Sequence, residues 1–217
     1  MKKRFVFYAL IWWATNAILA ASYSGTLPVM YIQTEGNAPI VSKDDYVNAT
    51  YYVDALGLAG YENIGSADVP LTMEIKGRGN YTWKGFDKKP YRIKLTDKQA
   101  LLGMTKSKHF ALLAHADDTK GFMRNAVGME LSKMIGLAWT PEAKPVEVVL
   151  NGDYIGLYFL TETIRVDADR VNVVEQEDEE TGEKKQVPFL RYYNVFHIDQ
   201  CEGLRPKYEI TLPGTAE

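Results

Sequence analysis

Alternating and continuous apolar patterns along the chain predict several β-strands. Leu71, Met73 and Ile75 alternate with polar neighbours, which is the period-two pattern of a strand with one buried face. Short apolar runs elsewhere indicate strands buried on both faces. Four stretches are predicted as strands in this way: residues 27–32, 69–76, 89–95 and 109–114.

A helix is predicted from Thr119 to Ile135. Apolar residues recur there at helical spacing and share one face: Met123, Val127, Leu131, Met134 and Ile135. Asp118 or Thr119 is a suitable N-cap residue, and Gly136 suits a left-handed C-cap.

A β-hairpin is predicted over residues 146–159, where Asn151-Gly152 separates two apolar runs. Asn-Gly reaches the positive φ angles of a type I′ turn at low cost. The polar stretch 36–65 is interpreted as a long surface excursion. Strands, one long helix and then a hairpin predict an α+β fold with an antiparallel or mixed sheet.

The first 24 residues have the order of an export signal. Met1 to Arg4 carry three positive charges, and Phe5 to Ala21 is free of charge and mostly apolar. Small residues follow, as at a signal peptidase site. We expect an exported protein of the periplasm, cell envelope or exterior, with an uncleaved N-terminal anchor as the alternative. Contact with the membrane is expected only through this segment.

Charge is unevenly distributed, although the net charge is only −3, with 25 basic and 28 acidic residues. Ten Lys or Arg and three Asp or Glu lie between Glu74 and Lys108, while six of the nine residues 175–183 are acidic. The overall balance argues against a general nucleic-acid binder. The basic stretch suits either an anion site or a solvated strand face.

Standard catalytic and metal-binding motifs are missing from the sequence. It contains no P-loop, no G-x-S-x-G and no H-E-x-x-H motif. The single cysteine, Cys201, excludes an internal disulfide. Asp117-Asp118 and Asp167-x-Asp169 are interpreted as turn and cap residues rather than metal ligands, so no metal site is predicted.

Three segments together resemble the CotH family of atypical, spore-coat-type protein kinases. They are GRGNYTWKGFDKKPYRIKL, LLAHADDTKGFMRNAVGMELSKMIGL and VEVVLNGDYIGLYFLTETI, within residues 27–174. The resemblance implies a kinase-like N-terminal lobe that uses ATP and Mg²⁺ to phosphorylate proteins. The nucleotide-binding residues expected from it are Arg78, Lys89, Lys94, Arg124 and Glu130. A strand lysine, Lys89 or Lys94, would pair with the helix glutamate.

The resemblance ends near Val174, before the aspartates that family members use for catalysis and metal binding. We therefore expect residues 25–174 to be an incomplete CotH-like domain that is inactive as this chain. A separate partner chain could supply the other half.

The tail, residues 175–217, is predicted to be an acidic linker followed by an unrelated piece. Residues 180–204 resemble a fragment of the N-terminal domain of ArdC-type antirestriction proteins, which bind single-stranded DNA. A tail of this kind is expected to extend the folded domain irregularly.

Three functions are carried forward in order. The first is an exported CotH-like protein with an ATP site, in which Arg78, Lys89, Lys94 and Glu130 converge. The second is a non-enzymatic surface module that binds a protein or glycan and exposes Tyr81, Trp83 and Phe86 together. The third is single-stranded DNA binding by the tail, although nucleic acid is an unlikely partner for an exported chain.

Overall fold

The structure is a computed structural model that describes residues 25–118 and 121–172. The strands are β1 (Val29–Thr34), β2 (Val47–Asp54), β3 (Leu71–Gly77), β4 (Tyr91–Gln99), β5 (Ser107–Leu113), β6 (Ala143–Leu150) and β7 (Asp153–Glu162). The α-helices are α1 (Tyr81–Gly85) and α2 (Arg124–Met134). No helix in these two ranges is long and apolar enough to cross a membrane. The predicted export signal and tail lie outside them.

The seven strands form a closed barrel in the order β1-β2-β3-β4-β5-β7-β6. Neighbouring strands are antiparallel, except that β6 pairs parallel with β1 and closes the barrel. Val29 pairs with Glu147 and Ile32 with Leu150 across this seam.

The hydrophobic core lies inside the barrel. Every strand contributes alternate side chains to it, as the period of two requires. The strand residues buried there are Met30, Ile32, Ala49, Tyr51, Val53, Met73, Ile75, Tyr91, Ile93, Leu95, Phe110, Leu112, Val146, Val148, Tyr158 and Leu160. Burying one large apolar side chain contributes about 1.5–3 kcal/mol, so this interior supplies much of the driving force for folding.

The predicted α+β fold, resembling a kinase N-terminal lobe, is wrong. The molecule is a mixed β-barrel with few helical residues. A sheet that closes on itself buries its apolar face without a covering helix layer. Consistent with this, α2 exposes its apolar face among the described residues, with Met134 82% and Val127 58% accessible.

The polar excursion predicted at 36–65 contains β2, which the sequence analysis missed. Ala49, Tyr51 and Val53 point into the core and are nearly inaccessible. Their neighbours Asn48 and Thr50 face outward. The alternation of buried and exposed residues in β2 was not recognised, because the surrounding stretch is polar and rich in turn-forming residues.

The predicted helix is confirmed in position but is shorter than predicted. It begins at Arg124, and the Asp118 carboxylate accepts a hydrogen bond from the Arg124 backbone N–H at 3.0 Å. Asp118 was predicted as an N-cap residue, but the N-cap residue is Met123, and Asp118 contacts the helix start from outside it. Residues 119–120 lie outside the described residues.

The predicted hairpin is confirmed. Leu150 pairs with Asp153 around Asn151-Gly152, whose φ angles are 53° and 86°. The Asn151 side chain also accepts a hydrogen bond from the Thr34 backbone N–H at 2.8 Å. The turn therefore fixes the end of β1 as well as the hairpin.

Helix α1 packs on the end of β3 through one close contact. The Trp83 ring lies over Gly77, where an added Cβ would come within 2.5 Å of ring carbon atoms. The same ring meets Tyr91 edge to face at 6.4 Å. Glycine is required at this position because any larger residue would displace the indole.

We predict that Gly77→Ala lowers the free energy of unfolding by about 1–3 kcal/mol, because it overpacks the site under Trp83. Urea denaturation of the two proteins measures the difference. Gly128→Ala is the matched control, since its added methyl meets no atom within 4 Å and lies in α2. Alanine there is expected to be neutral or stabilising by up to about 1 kcal/mol. Equal stability of Gly77→Ala and the unmodified protein would contradict the packing described.

Candidate functional site

The turn after β3 is held from both sides by backbone hydrogen bonds. The Gly77 N–H donates to the Ser42 carbonyl at 2.8 Å, and the Arg78 N–H donates to the Pro90 carbonyl at 3.1 Å. Gly79 has a φ of 81°, which glycine adopts without steric cost. These contacts fix Arg78 at the edge of a cleft on the barrel surface.

This cleft, the basic pocket, has a volume of about 340 Å³ and four cationic residues in its lining. They are Lys43, Lys76, Arg78 and Arg92. The carboxylates in the lining are Asp44 and Glu162. The excess of cations makes the basic pocket suited to an anion.

Two of these cations are directly opposed across the sheet. Lys76 pairs with Arg92 in the register of β3 and β4. Like charges at directly opposed positions destabilise a sheet. The Lys76 ammonium is partly accommodated by the Asp44 carbonyl at 3.2 Å and by the Tyr46 ring at 4.4 Å. A bound anion would relieve the remaining repulsion.

Arg92 and Glu162, two lining residues of the basic pocket, each have a buried polar atom without a hydrogen-bond partner among the described residues. Within the described part of the chain, the buried Nε of Arg92 and Oε1 of Glu162 have no hydrogen-bond partner. Leaving one buried donor or acceptor unpaired costs about 1–3 kcal/mol. Such atoms are expected where a ligand or water completes the hydrogen bonding.

Glu162, a lining residue of the basic pocket, forms a buried ion pair with Arg170. The two side chains are each 2% accessible, and their charged atoms are 3.9 Å apart. Arg170 also donates to the Thr163 carbonyl at 2.6 Å and to the His109 carbonyl at 3.2 Å. Burial lowers the pKa of Arg170, and the Glu162 carboxylate acts in the opposite direction. Because Arg170 partly neutralises the Glu162 carboxylate, that carboxylate repels an anion in the basic pocket less strongly.

The predicted nucleotide-binding residues do not converge on one pocket. Arg78 lines the basic pocket. Lys94 lies on the neighbouring part of the sheet, where its ammonium is 2.6 Å from the Glu74 carboxylate. The hydrogen bond to Glu74 raises the pKa of Lys94.

Lys89 and Glu130 have local partners. The Lys89 ammonium donates to the Trp83 carbonyl at 2.8 Å and to the Phe86 carbonyl, so it caps the C-terminal end of α1. Glu130 lies on α2 and pairs with Lys133 at 2.8 Å. Neither pairing joins a strand lysine to the helix glutamate.

Arg124 lies at the start of α2 beside two aspartates. Its guanidinium donates to the Asp117 carbonyl at 2.8 Å, and its Nε is 3.4 Å from the Asp118 carboxylate. The backbone N–H of Arg124 is the main cause of the lowered pKa of Asp118. The cavity beside these groups measures about 20 Å³, which is enough for about one water molecule.

The aromatic residues in and just after α1 are not exposed together. Tyr81 is 53% accessible, whereas Trp83 and Phe86 are half-buried. The Tyr81 ring meets the Phe86 ring edge to face at 5.4 Å. The aromatic surface expected of a binding module is therefore reduced to one ring.

Sequence reasoning missed most of the basic pocket, including Lys43, Lys76, Arg92 and Glu162. A usable signal was present, because Lys76 and Arg92 fall on the outward face of two strands joined through the glycine-rich segment. Glu162 gave no such signal, since its place in the pocket lining depends on the pairing of β5 with β7.

The comparisons with known proteins agree with part of the sequence analysis. The family described as CotH kinase protein matches residues 75–205, well over half of the chain. This chain therefore belongs to the CotH kinase protein family. A search of the curated proteins finds no match.

The matched range differs at both ends from the predicted range of 27–174. It begins within β3 and continues beyond the described residues. Residues 180–204 fall inside the match, so their resemblance to an ArdC-type fragment stays a prediction without support.

The surroundings of His109 give the folded state a pH dependence. Burial lowers the pKa of His109 to about 4 from an ordinary value of 6.5, and the charges of Arg165, Arg92, Lys94 and Arg170 act in the same direction. Between these two values the unfolded chain binds more protons than the folded one. The free energy of unfolding therefore falls as pH is lowered through this window.

We predict that His109→Gln reduces this loss of stability between pH 6.5 and 4. The expected difference is on the order of 1 kcal/mol once solvent screening is allowed for. Urea denaturation of both proteins at several pH values measures it. If the free energy of unfolding changes equally with pH in the two proteins, the pKa of His109 is not lowered in the folded state.

Proposed function

We propose that this CotH-family chain binds ATP through the basic pocket and contributes nucleotide binding to a protein phosphotransferase. The observation that carries the proposal is the opposed pair Lys76 and Arg92, with Arg78 held beside it. Together these three cations provide a concentrated positive charge at one point of the barrel surface.

The chemistry of the lining suits phosphate groups. Arginine presents a planar set of N–H donors that match phosphate oxygen atoms, and charge-assisted hydrogen bonds of this type are strong. Arg92 lines the basic pocket, and its Nε has no hydrogen-bond partner among the described residues. Because Arg78 follows a backbone-anchored turn, its guanidinium is positioned at reduced entropic cost.

Phosphoryl transfer depends on positioning and charge stabilisation rather than on covalent participation of the protein. In this proposal Arg78 and Arg92 orient the phosphates, and Lys76 adds positive charge. The buried Arg170 is a positioning residue, since its ion pair holds the side chain of Glu162, which lines the basic pocket.

The proposed use of Mg²⁺ is not matched by a metal site in the described part of the chain. No group of three or more His, Cys, Asp or Glu there is arranged to hold a metal ion. We therefore derive no step through a metal, and ATP binding is proposed for the basic pocket alone. Export to the cell envelope or exterior stays a prediction from residues 1–24.

We predict saturable ATP binding by the purified chain, measured by titration calorimetry. Arg92→Gln should weaken binding about tenfold, equivalent to about 1.4 kcal/mol, because it removes a charge-assisted hydrogen bond. Arg78→Gln is expected to have a similar effect. Lys106→Gln is the matched control, because Lys106 is exposed and lies outside the basic pocket lining.

Weaker binding in the two arginine variants, with no change in Lys106→Gln, would support the site. If ATP does not bind to the folded chain, or if all three variants bind equally well, the proposal is overturned. Transfer of ³²P from ATP to a general protein acceptor such as casein tests the phosphotransferase part separately. Binding without transfer would leave the chain as a nucleotide-binding protein only.

A further inference from the structure

A second cleft on the barrel has a different chemical character from the basic pocket. It lies on the outer face of β1 to β4, has a volume of about 910 Å³ and is lined largely by threonine, asparagine and glutamine side chains. We call it the threonine cleft. Its charged lining residues are balanced, with Glu35 and Glu74 against Lys94 and Lys108.

The centre of the threonine cleft is a row of hydrogen-bonding side chains that runs across four adjacent strands. Gln33 pairs with Thr50, and Thr50 pairs with Thr72, in the strand register. The row continues to Thr96, whose hydroxyl is 2.7 Å from that of Thr72. With strands about 4.8 Å apart, the four side chains span about 14 Å along the curved outer surface of the barrel.

A parallel row of polar residues lies two positions away on the same face. Asn48 is paired with Glu74, and Glu74 with Lys94. The Asn48 amide donates to the Glu35 carboxylate at 3.1 Å, and Lys94 contacts Glu74 at 2.6 Å. These contacts orient the polar groups before any ligand binds, which lowers the entropic cost of binding.

Aromatic rings continue the same face on the other side of the threonine row. Tyr31 is paired with Tyr52, and their rings are stacked with centroids 4.5 Å apart. Tyr31 precedes Gln33 by two residues and Tyr52 follows Thr50 by two, so all four share one face of the sheet. Apolar ring surface therefore lies beside hydroxyl and amide groups.

We propose that the threonine cleft binds a neutral oligosaccharide. Sugars present many hydroxyl groups that need both donors and acceptors, and hydroxyl and amide side chains supply both. An oligosaccharide offers these groups along its whole length, so it can contact the row from Gln33 to Thr96 residue by residue. Rings such as Tyr31 and Tyr52 suit the apolar faces of sugar rings.

Other ligand classes fit the threonine cleft less well. A peptide anchors itself through large apolar side chains in buried pockets, whereas the apolar lining residues here, Ala49, Met73 and Leu95, point into the barrel core. A nucleic acid needs an excess of basic residues, and the charges of this lining cancel. A neutral, hydroxyl-rich ligand avoids both mismatches.

The threonine cleft does not depend on the proposed ATP site. The Lys76–Arg92 pair that forms the basic pocket lies one outward row beyond the Glu74–Lys94 pair. An Arg92→Gln chain should therefore keep its oligosaccharide binding. This variant separates a failure at one site from a failure at the other.

We predict that cellohexaose or chitohexaose binds the purified chain with a Kd below about 1 mM in titration calorimetry. The double variant Thr72→Val/Thr96→Val removes two hydroxyls and keeps the β-branched shape that strands favour. Its binding should be at least about tenfold weaker, because hydrogen-bonding groups of the sugar lose their partners. Asn48→Ala gives a second, independent loss at the exposed edge of the cleft.

Thr105→Val is the matched control, since Thr105 is exposed in the loop before β5 and lies outside the threonine cleft lining. Unchanged binding by this control, with weaker binding by both cleft variants, supports the proposal. It is overturned if neither hexasaccharide binds, if the folded cleft variants bind as well as the unmodified chain, or if an unstructured peptide competes equally well.

Discussion

Closure of the barrel by the parallel pairing of β1 with β6 is the constraint on which the other features depend. The seam is extended at both ends, because the Glu147 N–H donates to the Pro28 carbonyl and the Asn151 N–H to the Ile32 carbonyl, at 2.9 and 2.8 Å. The Asn151 side chain adds a bond to the Thr34 hydroxyl at 3.0 Å. Because the sheet is closed, one face of every strand is committed to the core and the other is free to vary.

The two candidate sites follow from this division of faces. Outward positions of β3 run from Thr72 through Glu74 to Lys76, so one strand carries residues of both sites. Along this line the chemistry changes from neutral hydroxyl groups to an excess of positive charge. The Glu74–Lys94 ion pair lies between them and joins β3 to β4. The outer surface of one barrel thus carries both candidate sites, the threonine cleft and the basic pocket, without a separate domain for each.

Local pattern was enough to predict most strands, the hairpin and the position of α2, because each depends on residues close in sequence. Barrel closure was not predictable in this way, since nothing local indicates that Val29 lies opposite Glu147. The apolar stripe of α2 favoured a helix packed on a sheet, yet Leu131 remains 53% accessible among the described residues. The apolar stripe of α2 was identified correctly, but its periodicity does not indicate which element packs against it.

The candidate site shows the same limit. Arg78 was expected from the family resemblance, and it lines the basic pocket. Lys89 and Lys94 were selected from a family expectation, and the structure places them with carbonyl groups and with Glu74 instead. The buried Glu162–Arg170 pair depends on packing of the barrel end against the segment after β7. No spacing rule brings such residues together.

The strand order has a consequence for biosynthesis. The first five strands to leave the ribosome form a continuous antiparallel sheet, but β6 and β7, which complete it, are made last. Until then β1 and β5 are open edges, and such edges pair readily with other chains. The nascent protein is therefore most exposed to aggregation just before its final hairpin emerges, and a stall in translation at that point would be more harmful than one at an earlier codon.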